Sequence, residues 1–268
     1  MFLAHTSSIK ENSFQVLDQY NKKKILTNET GYNIVSNVCP HQKSLISQEN
    51  GAGSRVCPYH NWSFTLGGRP ITSGRTDYYC KNETPLESQQ AFEWNHLLFD
   101  CPVNFNVPIS FDNMMLMEQR VDIVKTDYRN IMDLFLDVDH IQTVHTGVYD
   151  LIGITNTNVS WDYYENGSVQ TVPEGAFWIA VYPYTMIEWQ KGSLFITVAQ
   201  PNGDQSKVHV FKYVDTRHID SWKLNESVWE TAWHQDKSQA ELITEIPNEN
   251  LEPQKIHYRD FLNATGIN

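Results

Sequence analysis

Short apolar runs separated by turn residues dominate the first hundred positions of the chain. Residues 24–27 and 32–35 are typical of two β-strands joined by a turn. Apolar and polar residues alternate over 62–66 and are followed by two glycines, which predicts a hairpin. With a further strand-like run at 96–99, the pattern predicts an all-β domain over residues 1–102.

The second part of the chain, residues 103–268, combines helical patterns with a series of strand-like runs. Two segments, 127–145 and about 224–246, have helical composition and are predicted to be helices. Between them, Gly, Pro and Asn residues separate short apolar segments, which predicts an antiparallel sheet and hence an α+β domain. The predicted strands cover residues 160–164, 176–182, 185–189, 194–200 and 207–214.

Composition and charge narrow the class of protein. The chain has 268 residues, of which 40% are hydrophobic and 12% aromatic, so it can bury sizeable cores. Its net charge of -12 disfavours a nucleic-acid partner, because such proteins carry a basic surface. The sequence lacks a signal-peptide pattern and an apolar stretch of membrane-helix length, so we expect a cytoplasmic protein without a membrane partner. Cys80 and Cys101 are expected to serve packing.

Two short arms between Cys39 and His60 form the first candidate metal site. The arms are Cys39-Pro40-His41 and Cys57-Pro58-Tyr59-His60, so each contributes one thiolate and one imidazole. A Rieske [2Fe-2S] cluster requires this set, with two Cys on one iron and two His on the other. Two Cys and two His can also close a tetrahedral zinc site, although zinc motifs usually pair Cys with Cys and His with His.

The predicted helix over 127–145 carries a second group of candidate ligands. Asp137, His140 and His145 follow a D-x-x-H-x4-H pattern. Two imidazoles and a carboxylate make up the facial triad of non-haem iron(II) oxygenases, which leaves coordination positions open for oxygen and substrate. Residues five apart on a regular helix point about 140° away from each other. We therefore expect the helix to loosen or bulge between the two histidines.

Together the motifs resemble those of the oxygenase component of Rieske non-haem iron oxygenases, over nearly the full chain from about residue 20. The resemblance implies an N-terminal Rieske domain and a C-terminal, helix-grip-like catalytic domain with mononuclear iron(II). It also implies that the four residues of the first motif hold a [2Fe-2S] cluster, namely Cys39, His41, Cys57 and His60.

For the second motif, the resemblance implies that His140 and His145 bind the iron and that Asp137 links this site to the cluster ligand His60. It places the third iron ligand in a Gln-Asp pair of the late helix, which here is Gln235-Asp236.

Helical spacing supports a special role for Asp236. A buried carboxylate is costly unless it is paired or binds a metal, and Asp236 lies in an otherwise apolar stripe. Glu241 as the ligand, or an ordinary salt bridge at Asp236, are the alternatives. The stripe consists of Trp229, Trp233, Asp236, Ala240 and Ile243.

The family resemblance implies an enzyme that takes electrons from a separate ferredoxin or flavin reductase and uses O2 to oxidise a small organic substrate. Monooxygenation, hydroxylation or demethylation is the preferred reaction, and the expected assembly is a homotrimer in which one subunit's cluster serves its neighbour's iron. The alternative is an electron-transfer Rieske protein without oxygenase activity. Gln42, Leu134 and Asp139 depart from frequent family residues, so the substrate does not follow from the resemblance.

For several other aromatic and histidine residues, a position in the core or on the surface is the simplest interpretation. Aromatic residues on the predicted strands could line an apolar pocket, but such residues more often form core. They are Trp178, Tyr182, Trp189 and Phe195. Structural or surface positions are expected for His5, His96, His209, His218, His234 and His257.

Overall fold

Three antiparallel sheets make up residues 2–104, which form one compact unit of a computed structural model. Five strands pair in the order β5-β2-β3-β4-β9, three in the order β1-β11-β10 and three in the order β6-β7-β8. The strands are β1 (Phe2–His5), β2 (Ser13–Val16), β3 (Lys24–Asn28), β4 (Tyr32–Ser36), β5 (Gly51–Ala52), β6 (Arg55–Val56), β7 (Ser63–Phe64), β8 (Pro70–Ile71), β9 (Ser88–Gln90), β10 (Phe92–Trp94) and β11 (Leu97–Phe99). The structure describes residues 1–71, 83–145, 147–148, 159–172, 175–249 and 251–267.

The strands predicted around the first metal motif are present. Residues 24–28 and 32–36 pair as neighbours, and the residues after His60 form the β7–β8 hairpin. The two cysteines of the motif belong to a core that also contains Phe14, Ile25, Val35 and Phe64. No disulfide joins Cys39, Cys57 and Cys101, the cysteines within the described ranges, and Cys80 lies outside them. Cys101 is half-buried.

A seven-stranded antiparallel sheet forms the second unit, which comprises residue 1 and residues 105–268. Its strand order is β12-β18-β17-β16-β15-β14-β13, so β12 and β13 are the edges. The strands are β12 (Met114–Val124), β13 (Ser160–Tyr164), β14 (Gly167–Val172), β15 (Ala176–Val181), β16 (Thr185–Gln190), β17 (Ser193–Asn202) and β18 (Gln205–Asp215). The helices are α1 (Tyr128–Leu136), α2 (Ile141–Val144), α3 (Trp222–Ala240) and α4 (Pro253–Thr265).

The core of this unit lies between the sheet and the helices α1, α3 and α4. Strand residues such as Phe195 and Val210 are buried with Leu136 of α1, Trp229 of α3 and Leu262 of α4. This arrangement confirms the α+β fold with an antiparallel sheet. Among the described residues, no helix is long and apolar enough to cross a membrane.

The structure corrects the predicted elements of this unit in several places. The five predicted strands are present, but β12 and β14 were not predicted. The single helix predicted over 127–145 is two helices, and the late helix ends at Ala240 instead of about residue 246. Helix α4 was also missed, although Pro253 at its first position and Gly266 just after its end are ordinary helix boundaries.

Candidate metal centres and active-site pocket

Two loops that are built alike carry the four residues of the first motif. In each loop the cysteine N–H donates to the carbonyl five residues on, from Cys39 to Ser44 (2.8 Å) and from Cys57 to Trp62 (2.8 Å). The cysteine carbonyl accepts from the N–H four residues on, that of Lys43 or Asn61, at 3.0 Å in both loops. These last two residues have left-handed backbones, with φ of 57° and 59°. The matching turns give the two arms the same form.

The four side chains of this motif differ in solvent exposure. Cys39 and Cys57 are 2% and 1% exposed, whereas His41 is half-buried and His60 is exposed. The two imidazole rings lie 4.5 Å apart between centroids, and Trp62 stacks on His41 at 4.8 Å. The pair of thiols is therefore inside and the pair of imidazoles lies toward the surface.

This set fits a Rieske [2Fe-2S] cluster. Burial raises the pKa of the Cys39 thiol, and the backbone N–H groups of His41 and Gln42 oppose that increase. Such N–H groups stabilise a thiolate and tune the potential of a cluster whose sulfurs they contact. The two buried thiols and the two outer imidazoles would hold such a cluster, which would supply single electrons.

The second motif begins where helix α1 ends. The Asp137 backbone is extended (φ -96°, ψ 109°), so the chain leaves the helix at this residue. The Asp137 carboxylate then accepts from the N–H groups of Asp139 (2.9 Å) and His140 (3.2 Å), which forms the turn that leads into helix α2. The predicted bulge between the histidines is wrong. His140 and His145 instead flank one short regular turn, and the break lies before His140.

His140 and His145 converge with Asp236 of helix α3. The Nε2 atoms of the two histidines are 3.1 Å apart, and they lie 3.2 Å and 3.3 Å from Asp236 Oδ1. The side chains of His140, His145 and Asp236 are 11%, 5% and 25% exposed, and the Asp236 Oδ1 atom itself is buried. Glu241, the alternative ligand, is exposed and accepts from the Lys125 N–H at 3.1 Å.

The other ring nitrogen of each histidine is fixed by a hydrogen bond. His145 Nδ1 donates to Gln235 Oε1 at 3.0 Å, and His140 Nδ1 donates to the backbone carbonyl of Asp137. These bonds set the tautomer, so both Nε2 atoms carry lone pairs that face each other and Asp236. The role of Gln235 was not predicted, although its place beside Asp236 was noted.

The three facing acceptors fit a metal ion. With bonds of about 2.1 Å, adjacent ligands of an octahedral ion lie about 3 Å apart, close to the separations observed here. Burial lowers the pKa of His140, but the Asp236 carboxylate and the Asp137 carbonyl outweigh it and leave the pKa raised. The site thus attracts positive charge. Two imidazoles and one carboxylate are the donor set of non-haem iron(II) sites.

Asp137 has a further partner that sequence reasoning missed. Its Oδ2 accepts from Lys255 Nζ of helix α4 at 2.9 Å, and Lys255 also pairs with Glu252 at 2.9 Å. Asp137 therefore joins α4 to the start of α2, and its backbone carbonyl orients His140. No signal near residue 137 could have identified a partner 118 positions away.

An aromatic cavity adjoins the three candidate ligands, between the sheet and helices α1 and α3. Trp178, Trp189 and Phe195 line it, together with Trp229 and Trp233. Tyr182 does not, because it is buried against Tyr258 and Phe261. His140, His145 and Asp236 line the same cavity.

The cavity also contains a carboxylate that the sequence did not single out. Glu188 of β16 accepts from Trp229 Nε1 at 2.9 Å. Burial, together with the negative charge of Asp236, raises the pKa of Glu188 to about 7, although the hydrogen bond from Trp229 lowers it.

The histidines outside the two motifs do not belong to the group formed by His140, His145 and Asp236. His5 and His209 are buried and His234 is exposed, as a structural or surface role requires. His257 bonds the backbone carbonyl of Tyr164 at 2.8 Å.

Comparison with known proteins identifies the domain that contains the first motif and the fold of the chain. The family model of the Rieske [2Fe-2S] domain matches residues 1–78. A putrescine 2-hydroxylase from Ralstonia nicotianae is 23% identical over 229 residues, covering 70% of this chain and 62% of the relative. Another from Bordetella bronchiseptica is 20% identical over 249 residues, covering 71% and 56%. The match therefore spans less than two thirds of these curated relatives' length.

Solved structures match almost the whole chain. The quaternary ammonium Rieske monooxygenase CntA in complex with L-carnitine superposes with a TM-score of 0.73 at 14% identity, covering 99% of this chain and 88% of that chain. NdmA from Pseudomonas putida CBB5 superposes with a TM-score of 0.61 at 16% identity, covering 97% and 85%. The chain thus has an N-terminal Rieske [2Fe-2S] domain, and its fold is that of the Rieske monooxygenases.

Proposed function

We propose that this chain is the oxygenase component of a Rieske non-haem iron oxygenase. The observation that carries the proposal is the convergence of two imidazole nitrogens and one carboxylate oxygen within 3.1–3.3 Å at an aromatic cavity. An electron-transfer Rieske protein would have no use for these ligands or for the cavity. The residues would hold a mononuclear iron(II) beside a small organic substrate.

The chain's own residues have separate tasks in this reaction. His140, His145 and Asp236 would hold iron(II), which when bound supplies the activation of O2. Cys39, Cys57 and the two cluster histidines would hold the [2Fe-2S] group, which supplies single electrons. Gln235 and the Asp137 carbonyl keep the imidazoles in the ligating tautomer. The aromatic walls exclude water from the substrate.

Monooxygenation, in the form of hydroxylation or demethylation, is the proposed reaction. The curated relatives are putrescine 2-hydroxylases, and two of the matching folds belong to a quaternary ammonium monooxygenase and to NdmA. The electrons would come from a separate ferredoxin or flavin reductase. Asp137 is the proposed link to the cluster ligand His60, and its ion pair with Lys255 would hold it in place.

A homotrimer is the proposed assembly, with electrons passing between neighbouring subunits. One matching structure is described as revealing inter-subunit electron transfer in a quaternary ammonium Rieske monooxygenase. Support in this chain comes from the sheet edge β12, which exposes five large apolar side chains at 38–47%. These are Met115, Leu116, Met117, Val121 and Ile123. A fully active monomer in analytical ultracentrifugation would contradict the trimer.

Oxygen-dependent product formation tests the proposed function. Iron-loaded protein is given a ferredoxin–reductase pair and a library of small amines and neutral compounds, and products are identified by mass spectrometry. The wild type is expected to consume O2 and to yield a product hydroxylated or demethylated relative to its substrate. His140→Ala should abolish this product, whereas the control His234→Ala changes an exposed histidine of α3 and should not. Product formation that survives His140→Ala would contradict the proposal.

A further inference from the structure

Glu188 occupies an unusual position for a carboxylate. It lies within strand β16, and its cross-strand neighbours are Trp178 on β15 and Phe195 on β17. Both neighbours line the same cavity as Glu188. On the helix side, Trp229 and Trp233 stack on each other at 6.0 Å, and Phe195 stacks on Trp229 at 5.1 Å. The carboxylate is thus surrounded by aromatic rings.

The described part of the chain gives Glu188 no positive partner. Trp229 Nε1 donates to one carboxylate oxygen, but no Lys or Arg of the described ranges forms an ion pair with Glu188. Lys237 is the cation that lines the cavity, and its Nζ lies 3.9 Å from Asp122 Oδ2. A carboxylate in an apolar site is costly without a compensating charge. The raised pKa of Glu188 reflects this energetic cost of ionising the carboxyl group in an apolar site.

Aromatic faces and a carboxylate share one preferred ligand. The negative face of an aromatic ring attracts a cation, and a desolvated carboxylate does so more strongly. Trp is the best of the three aromatic residues for this contact, and four of them line the cavity. The carboxylates of Glu188 and Asp236 would repel an anionic substrate. An alkylammonium group would instead supply the positive charge that Glu188 lacks.

We infer that Glu188 binds the ammonium group of a cationic alkylamine substrate inside the aromatic cavity. This inference rests on the proposed function, because it concerns the substrate of that site. A primary ammonium would donate hydrogen bonds to the Glu188 carboxylate, and a quaternary ammonium would contact the carboxylate and the ring faces without donating. Either cation would leave its alkyl chain to occupy the rest of the cavity, which His140, His145 and Asp236 also line.

Equilibrium binding tests the inference without turnover. Iron-loaded protein is titrated in the absence of O2, by calorimetry, with four probes: choline, its neutral isostere 3,3-dimethylbutan-1-ol, butylammonium and 3,3-dimethylbutanoate. At least one cation is expected to bind about 10- to 100-fold more tightly than the neutral isostere, as a charged hydrogen bond or a desolvated cation contact would give. The choline and butylammonium arms distinguish the quaternary from the primary ammonium.

Variants assign the preference to Glu188. Glu188→Gln keeps the size of the side chain and an acceptor for Trp229, and it should remove the preference for cations. Glu188→Asp should retain part of it, because the charge remains. Asp204→Asn, which removes a charge from the exposed β17–β18 turn, should retain all of it. Equal binding of the neutral isostere, tighter binding of the carboxylate probe, no cation binding, or an unchanged preference in Glu188→Gln would overturn the inference.

The two proposals can fail separately. Turnover of a neutral compound by a protein that binds no cation would leave the oxygenase standing and remove the role of Glu188. Glu188-dependent cation binding by a protein that forms no product would support the role of Glu188 and contradict the oxygenase proposal.

Discussion

At the scale of single residues, the proposed mononuclear site depends on groups that would not touch the metal. Gln235 fixes the His145 ring from 90 positions away in sequence, and the Asp137 carbonyl fixes His140. The ligand types and spacing could be predicted because metal chemistry restricts both. The orienting groups could not, since any carbonyl or amide can accept an N–H and only the fold brings one into place.

Replacing Gln235 tests this orienting bond. Gln235→Leu keeps the side-chain volume but removes the acceptor of the His145 Nδ1 proton, so the other tautomer becomes accessible. Iron(II) affinity is expected to fall about 10- to 100-fold. Anaerobic titration of metal-free protein measures it, and Gln239→Leu, one turn later on α3, serves as the matched control. Unchanged affinity in Gln235→Leu would mean that the bond does not position the ligand.

The charge state of Glu188 gives a pH dependence of definite sign. Its pKa is raised to about 7, so the carboxyl is largely neutral at pH 6 and ionised at pH 8. Choline keeps its charge over this range, and its affinity is therefore expected to rise from pH 6 to pH 8. Glu188→Gln should flatten the profile, although the other ionisable groups lining the cavity remain, namely His140, His145, Asp236 and Lys237. A profile that persists in Glu188→Gln would assign the titration to one of those groups.

At the scale of elements, an ion-pair network joins the edge of the sheet to helix α3. Lys212 of β18 has a side chain only 2% exposed, and it pairs with Glu118 of β12 and with Glu226 and Glu230 of α3. Arg120 joins the same network through Glu118 and Glu230. Because α3 carries Asp236, this network helps to hold the proposed metal ligand against the sheet.

Removing the buried cation should destabilise the C-terminal unit. Lys212→Met leaves three carboxylates that Arg120 alone cannot neutralise. Loss of one partner from a fully buried pair costs about 3–5 kcal/mol, and about 2 kcal/mol is expected here because the carboxylates are partly exposed. Urea unfolding measures the free energy. The control Lys223→Met changes an exposed lysine of α3 and should stay within about 0.5 kcal/mol of wild type. A comparable loss of unfolding free energy in both variants would contradict a stabilising role for the ion-pair network.

Element prediction failed where local pattern and tertiary context disagree. Strand β12 has charged residues at 118, 120 and 122 and exposed apolar ones nearby, so its alternation does not mark a buried face. Strand β14 begins at Gly167 and buries Ser168 and Gln170, which look like loop residues in sequence. Asp137 ends α1 because its carboxylate accepts the N–H groups that follow, a local competition that composition alone does not reveal.

At the scale of the whole molecule, the chain combines two units that each carry a set of candidate metal ligands. The N-terminal unit presents buried thiols and outer imidazoles, and the C-terminal unit encloses a carboxylate and two imidazoles beside an aromatic cavity. Sequence motifs singled out the candidate ligands of both units. The cavity's carboxylate at residue 188 escaped notice because a lone Glu on a strand has no distinguishing sequence signal.

The claim that one chain holds two independent iron centres is tested most directly by Mössbauer spectroscopy of anaerobically reconstituted protein. Wild type should contain about three irons per chain, two with cluster parameters and one high-spin iron(II). His140→Ala should lose only the high-spin iron(II), and Cys57→Ser should lose only the cluster. A high-spin iron(II) signal that persists in His140→Ala, or that disappears in Cys57→Ser, would contradict this account.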